Sequence, residues 1–255
     1  MSDRPSKVSG SHSVRGLSIV PDAWLATIMN RDVHRVTGVW EKDEGNPVRQ
    51  ELRRLTLRPG FAFAKIATQE VRTSHQLEEC GFRIVDTALT LETRRLSHVG
   101  TAGSRVRLAT SDDAATVVGI ARQSFRYSRF HLDPDIPLSL ADEIKARWAG
   151  NFFSGQRGDY MVVAECDGRV VGFLQLIAAA DHVLMIDLIA VHPDSRGLGL
   201  AAAMIGFAGK KACGHPRMVR VGTQSANLPS LSLYHKLGFQ VVSSSHIFHH
   251  HGPSR

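Results

Sequence analysis

The chain has 255 residues, 43% hydrophobic and 22% charged, long for one domain of ~150 residues and short for two of that size. No apolar run approaches the ~20 residues of a bilayer span. The opening Met-Ser-Asp-Arg-Pro-Ser-Lys lacks the apolar stretch of a secretory signal, so a cytoplasmic rather than a membrane or exported protein is expected. The net charge of +7 divides into +3 on residues 1–100 and +4 on residues 101–255, with no basic tail, and favours anionic partners without choosing among them.

Residues 1–16 are polar and Ser/Gly-rich and read as a frayed start, and residues 41–50 as an exposed loop. Periodicity disappears between Arg94 and Arg105, which reads as a linker dividing the chain into units 1–100 and 101–255. In the second unit the spacing of Ala115, Val118, Ala121 and Phe125 predicts a helix over 112–125, capped by Ser111 or Asp112. A second helix is expected over 140–153. Runs 160–165 and 169–177 flank Asp167-Gly168, a hairpin signal, and 183–191 is a further strand. A small-residue helix over 199–212, a strand at 219–222, a helix over 229–237 and a strand beginning at 240 complete a mixed α/β sheet flanked by helices. One segment is repeated. Ala67-Thr68-Gln69, Leu77 and Gly81-Phe82-Arg83-Ile84-Val85 match Gly222-Thr223-Gln224, Tyr234 and Gly238-Phe239-Gln240-Val241-Val242.

The stretch Ser195-Arg196-Gly197-Leu198-Gly199-Leu200-Ala201 joins a strand to a helix N-terminus. Free backbone N–H groups and the positive end of the helix dipole converge there on an anion, and two glycines remove the Cβ atoms that would block a pyrophosphate. The dinucleotide fingerprint fails because Ala202 stands where its third glycine belongs, and no Walker loop exists. A turn that merely rounds a corner is the structural alternative.

These residues resemble the acyl-CoA pyrophosphate loop, Arg/Gln-x-x-Gly-x-Gly/Ala, of the GCN5-related N-acetyltransferases (GNAT). Asn227, Ser230, Tyr234 and Leu237-Gly238-Phe239 resemble that superfamily's second signature. The resemblance covers about residues 105–245 and implies a GNAT fold and acetyl-CoA as co-substrate. It implies Leu188, Ile189, Ala190 and Val191 along the pantetheine arm, Arg196, Gly197, Leu198, Gly199, Leu200 and Ala201 at the pyrophosphate, and Asn227 on the arm. Ser128-Arg129-Phe130-His131-Leu132-Asp133, Trp148 and Val221-Gly222-Thr223-Gln224 resemble nucleotide-sugar amine N-acetyltransferases of the TDP-4-amino-4,6-dideoxyhexose type. Those enzymes also carry a truncated GNAT-like N-terminal half ending in a Gly-Phe segment, which Gly81–Asp86 fits, while Ile28-Met29-Asn30 departs from their aromatic and glycine pattern.

The implied reaction is direct attack of a sugar amine on the thioester, as part of polysaccharide biosynthesis. Tyr234 is the expected general acid, because a phenol of reference pKa ≈ 10 stays protonated and can donate to the departing thiolate. Packing of its own helix is the alternative. Asp86 is the candidate base, with a surface carboxylate as the alternative. Arg129, Phe130 and His131, with Thr223 and Gln224, are the candidate acceptor contacts; Phe130 can instead be a core staple, and Trp148 core or site wall. Cys80, Cys166 and Cys213 lack metal-ligand spacing, and His249-His250-His251 reads as a solvated end, so no metal is expected. The expected partners are a nucleotide sugar or small amine, with neither nucleic acid nor membrane, and the expected assembly is a homodimer. The competing functions are a GNAT acting on another small amine, antibiotic or peptide N-terminus, and a non-enzymatic acyl-CoA sensor or nucleic-acid module, for which no helix-turn-helix, RNP or zinc-finger pattern exists.

Overall fold

The computed structural model describes residues 16–39, 47–94, 105–211 and 216–253. Its first half runs β1 (Ser18–Pro21), α1 (Ala23–Met29), β2 (Val33–Thr37), α2 (Pro47–Thr56), β3 (Phe61–Ala67), α3 (Val71–Glu79) and β4 (Arg83–Thr93). The second half runs β5 (Arg105–Leu108), α4 (Ala114–Ser124), α5 (Arg129–Leu132), α6 (Leu138–Phe153), β6 (Tyr160–Cys166), β7 (Arg169–Ala179) and β8 (Val183–Val191). It continues with α7 (Leu200–Lys211), β9 (Met218–Gln224), α8 (Leu228–Lys236) and β10 (Gln240–His251). All ten strands join one sheet in the order β1-β2-β3-β10-β4-β9-β8-β7-β6-β5. The pairs β2–β3 and β8–β9 are parallel and the others antiparallel. This is the mixed α/β architecture the sequence predicts.

Strand alternation builds a core on each face. Ala62, Ala64 and Ile66 of β3 pack with Leu52 of α2 and Leu77 of α3, while Phe61 and Phe63 point the other way, toward Leu25 and Met29 of α1 and Phe130 and Ile144. In the second half Val162 and Ala164 face Met204 and Ile205 of α7, and Met161 and Val163 face Val117 and Ile120 of α4 and Ala149 of α6. Helices α2, α3, α7 and α8 therefore cover one face and α1, α4, α5 and α6 the other. Among the described residues no helix is long and apolar enough to cross a membrane.

The sequence repeat is a structural repeat, β3-α3-β4 and β9-α8-β10. Both helices end in the same hydrogen-bonded turn. Gly81 N donates to Glu78 O and Gly238 N to His235 O; Phe82 N donates to Leu77 O and Phe239 N to Tyr234 O, both at 3.0 Å. The glycines adopt φ 87° and 83°, which L side chains rarely tolerate, and the following phenylalanines are buried. The last strand of each copy then pairs with the other copy. β10 lies between β3 and β4, in register from Ser245↔Ala67 to His251↔Phe61, and β4 lies between β10 and β9.

Several local expectations differ. Residues 47–50, read as loop, open α2, where proline's fixed φ suits a first turn. The helix expected over 112–125 starts with a 3₁₀ turn at 111–113 and is capped by Thr110, whose backbone N–H donates to Asp113 Oδ2 at 2.8 Å. That tighter turn shifts the helical phase, so Val117, Ile120, Ala121 and Ser124 are buried and Ala115 is exposed. A one-turn helix, α5, holds the candidate acceptor residues Arg129, Phe130 and His131. Residues 1–15 of the frayed start, 41–46, most of the expected linker (95–104), Ala212 and Cys213 lie outside the described residues.

Candidate functional site

Strands β8 and β9 pair from Val183↔Met218 to Ile186↔Val221 and then part. Asp187 follows immediately and is the extra residue of a β-bulge, since Leu176 pairs with Ile186 while Gln175 pairs with Leu188. Parted parallel strands leave backbone groups without neighbours, and a cavity of about 700 Å³ opens there. It is lined by Leu188, Ile189, Ala190 and Val191 on one strand and by Gly222, Thr223 and Gln224 on the other. One end is closed by the turn into α7, where Arg196, Gly197, Gly199, Leu200 and Ala201 line the wall; Leu198 points outward, 57% exposed. Gly197 and Gly199 hold φ 80° and 73°, and no atom stands within 4 Å of where a Gly197 Cβ would be. The first intrahelical bond of α7 is Ala203 N to Gly199 O, so the amides just before it have no helical acceptor and face the turn. Arg196 is tied to the neighbouring wall, its Nη2 donating to Ser124 O at 2.8 Å.

Helix α8 forms the opposite wall. Asn227 is its N-cap, Oδ1 accepting from Ser230 N and Nδ2 donating to Thr223 Oγ1 at 3.1 Å. Two turns on, Tyr234 lines the cavity while 2% exposed, its ring 5.4 Å from that of Phe239. Its hydroxyl makes no hydrogen bond to any described residue, and burial pushes the phenol above its ordinary pKa. It is a protonated donor with no acceptor among the described residues.

The third wall comes from α4 and α6, for which the sequence offered only Trp148, as core or site wall. Asp187 accepts from Trp148 Nε1 at 2.9 Å, Gln175 Nε2 at 2.9 Å, and Arg157 through Nε at 2.8 Å and Nη2 at 2.6 Å. Its saturated carboxylate anchors the bulge. Ser124, Phe125, Arg126, Tyr127, Ser128 and Lys145 complete this side. The signal for Asp187 was present, as the one polar residue in Val183–Val191.

The acetyltransferase (GNAT) family model matches residues 119–239, the stretch that supplies these walls. The chain carries a GNAT acetyltransferase domain. The spore coat polysaccharide biosynthesis protein SpsD of Bacillus subtilis (strain 168) is 31% identical over 138 residues, 54% of this chain and 47% of that protein. Streptothricin acetyltransferase of Escherichia coli is 35% identical over 74 residues, 29% of this chain and 42% of that protein. The chain thus spans about half the length, or less, of the curated relatives it matches. A GCN5-related N-acetyltransferase from Kribbella flavida superposes with TM-score 0.60 at 16% identity, covering 95% of this chain and 90% of that one. A tandem GNAT protein from the clavulanic acid biosynthesis pathway gives 0.60 at 15% identity, covering 88% and 76%. At these identities the structures establish the fold, a two-lobed GNAT arrangement.

Other residues singled out in the sequence lie off the GNAT cavity. Asp86 is 7% exposed on β4 and does not line it. Burial raises its carboxyl to about 6, against hydrogen bonds from the Thr87 backbone and the side chain of Gln224, which does line the cavity; one carboxylate oxygen has no partner. Phe130 is 1% exposed in the core rather than ligand-facing, because α5 turns it onto the sheet with Phe61 and Phe63. Arg129 stacks 3.8 Å from the Phe63 centroid and 4.4 Å from that of Phe130. His131 is held by Ser128 Oγ at 2.6 Å and Asp142 Oδ1 at 3.0 Å. Arg129 and Phe130 brace the sheet beside the site, and His131 ties α5 to α6. Trp148 is half-buried and hydrogen-bonds Asp187 behind the wall.

The histidine run is not a solvated end. Period-two alternation sends His249 and His251 to one face, where His249 Nδ1 (2.6 Å) and His251 Nε2 (2.8 Å) both meet Asp133 Oδ2; His250 turns to Gly81 O on the other. Asp133, His249 and His251 place ligand-type atoms within 4.8 Å of one another. Their outer nitrogens, however, face guanidinium groups, Arg129 on His249 and Arg31 on His251, each at 3.4 Å. Carboxylate, two imidazoles and two guanidiniums satisfy one another, and positive charge on both sides opposes a cation. Burial lowers His249 to about 4. Burial alone raises Asp133, but hydrogen bonds from both histidines hold it well below the usual carboxylate range.

Proposed function

We propose that the protein is an acetyl-CoA-dependent N-acetyltransferase acting on the amine of a nucleotide-linked 4-amino-4,6-dideoxysugar, working in the cytoplasm on a polysaccharide precursor. The observation that carries the reaction class is the gap between β8 and β9. It is walled by Tyr234 with an unengaged hydroxyl and closed by the Gly197–Gly199 turn at a helix N-terminus. The turn's amides and Arg196 would hold the CoA pyrophosphate, and the unpaired edge of Leu188–Val191, with Asn227 opposite, would take the pantetheine arm. A backbone donor near Ile189 would meet the oxygen of the tetrahedral intermediate.

In this reading the neutral amine nitrogen attacks the thioester carbonyl carbon and forms the C–N bond. Collapse of the adduct breaks the C–S bond, and the departing sulfur takes the Tyr234 proton. The amine's proton passes to Asp86 through water, with Gln224 hydrogen-bonded to that carboxylate. The substrate assignment rests on the resemblance of 128–133 and 221–224 and on a relative named for polysaccharide biosynthesis. In the same reading, residues 101–255 are the acetyltransferase unit and residues 1–100 a partial copy that braces its acceptor side through the β4–β10 exchange. A second reading, acetylation of an antibiotic or other small amine, is favoured by the match to streptothricin acetyltransferase. Thiol release from acetyl-CoA against a panel of nucleotide-linked amino sugars, free amino sugars and antibiotic amines separates the two. Preference for a free amine over every nucleotide sugar would overturn the first.

A further inference from the structure

Lys145 stands in the middle of α6 and is 8% exposed, yet it lines the cavity. Its Nζ sits between two aromatic rings, 4.8 Å from the Phe125 centroid and 4.7 Å from that of Trp148. Among the described residues it has neither a hydrogen-bond acceptor nor a carboxylate within ion-pair distance. The acid whose charge it feels, Asp187, is already taken by Arg157, Trp148 and Gln175. An ammonium taken out of water gives up more hydration than two ring faces return, so an anionic partner is the missing compensation. Burial draws the group down to about 8, and the charges of Arg129 and Arg157 push the same way. A second donor in this wall is also unsatisfied, since Ser124 lines the cavity with its Oγ buried and unpartnered. Arg126 adds positive charge to the same side.

We infer that Lys145, with Ser124, is a subsite for an oxyanion carried by the acceptor, held beside the reacting end of the cavity. Trp148 fixes the place, because its ring covers the Lys145 ammonium while its Nε1 bonds Asp187, the bulge where β8 leaves β9. The CoA phosphates belong at the Gly197–Gly199 turn instead. An anion bound here selects acceptors whose amine lies near a phosphate or carboxylate and disfavours polycationic amines, which meet an uncompensated ammonium. A nucleotide-linked sugar, with its diphosphate next to the ring, satisfies this demand. The inference deepens the proposed function and rests on its placement of acceptor and CoA.

The test is calorimetric titration of thymidine diphosphate into CoA-saturated protein, wild type against Lys145→Met and Ser124→Ala. Lys145→Met should weaken thymidine diphosphate at least about ten-fold and Ser124→Ala a few-fold. The CoA Kd should stay put in both, and the melting temperature of Lys145→Met should not fall, because a buried unpaired cation has been replaced by an apolar chain. If thymidine diphosphate does not bind wild type, a carboxylate-bearing amine whose KM rises in Lys145→Met identifies the anion as a carboxylate. Unchanged affinity and KM in both arms overturn the subsite. Lys145-dependent thymidine diphosphate binding without acetylation of any nucleotide-linked amine defeats the acceptor reading and leaves the subsite standing. Acetylation of the amino sugar with unchanged thymidine diphosphate affinity in Lys145→Met does the reverse.

Discussion

Replacing Tyr234 by Phe removes one oxygen from a side chain whose ring is packed against Phe239 and whose hydroxyl has no partner among the described residues. No protein group is left unsatisfied and the ring volume stays, so stability should change by less than about 1 kcal/mol. If the hydroxyl protonates the departing sulfur, its loss removes an interaction made only as the C–S bond breaks. General-acid catalysis contributes roughly 10²–10⁴-fold, or about 3–5 kcal/mol of barrier. The loss should appear in kcat, with the KM for acetyl-CoA within a few-fold of wild type. Thiol release under saturating substrates measures it, with the melting temperature and the CoA Kd as controls. An acetyl donor with a more acidic thiol should shrink the difference, because a better leaving group needs its proton less. A kcat within about three-fold of wild type, at unchanged stability, would remove Tyr234 from proton transfer.

Asp86, with its carboxyl raised from 3.8 to about 6, binds its proton more tightly folded than unfolded. Stability therefore rises as pH falls through that window, and the charged form is a burden above it. Asp86→Asn should be more stable than wild type by roughly 2–3 kcal/mol at neutral pH in urea melts, yet slower in kcat, and should lose the rise in rate through pH 6. His249, lowered from 6.5 to about 4, stays neutral in the fold, so its contribution is full above pH 6.5 and is lost as pH falls toward 4. The two windows oppose, so the acid loss should be plain in Asp86→Asn and blunted in wild type; no loss in the variant would contradict the buried neutral imidazole. Gly197→Val places a β-branched residue at φ 80° in open space, so the strain of roughly 1–2 kcal/mol should appear as a higher KM for acetyl-CoA. Asp187→Ala strands Arg157 and the Trp148 N–H and should cost about 3 kcal/mol in thermal or urea unfolding.

What could be read from the sequence was what local chemistry dictates. Two glycines before a small-residue helix gave away the α7 turn, Asp167-Gly168 the β6–β7 hairpin, and the paired Gly-Phe breaks the β-α-β repeat whose turns superpose bond for bond. What escaped depends on contacts between distant segments. The exchange of β4 and β10 has no signature in either strand, because pairing partners 150 or so residues apart leave no local periodicity. His249 and His251 read as solvent-facing because their partner, Asp133, lies at the end of α5, 116 residues before His249 in the chain. Lys145 lay hidden within an amphipathic helix, where a lysine suggests a solvated face; only the packing of α4 over α6 brings Phe125 onto it. Phe130 shows the opposite trap, an aromatic in a polar loop that a single helical turn rotates into the core.

The most direct test incubates the purified protein with acetyl-CoA and a nucleotide-linked 4-amino-4,6-dideoxysugar and follows both by mass spectrometry. Gain of one acetyl group on the sugar amine, matched by stoichiometric free CoA and abolished when the amine is already acylated, is the predicted result. Acetyl-CoA left intact across nucleotide-linked amino sugars, while a free small amine is acetylated rapidly, would contradict it.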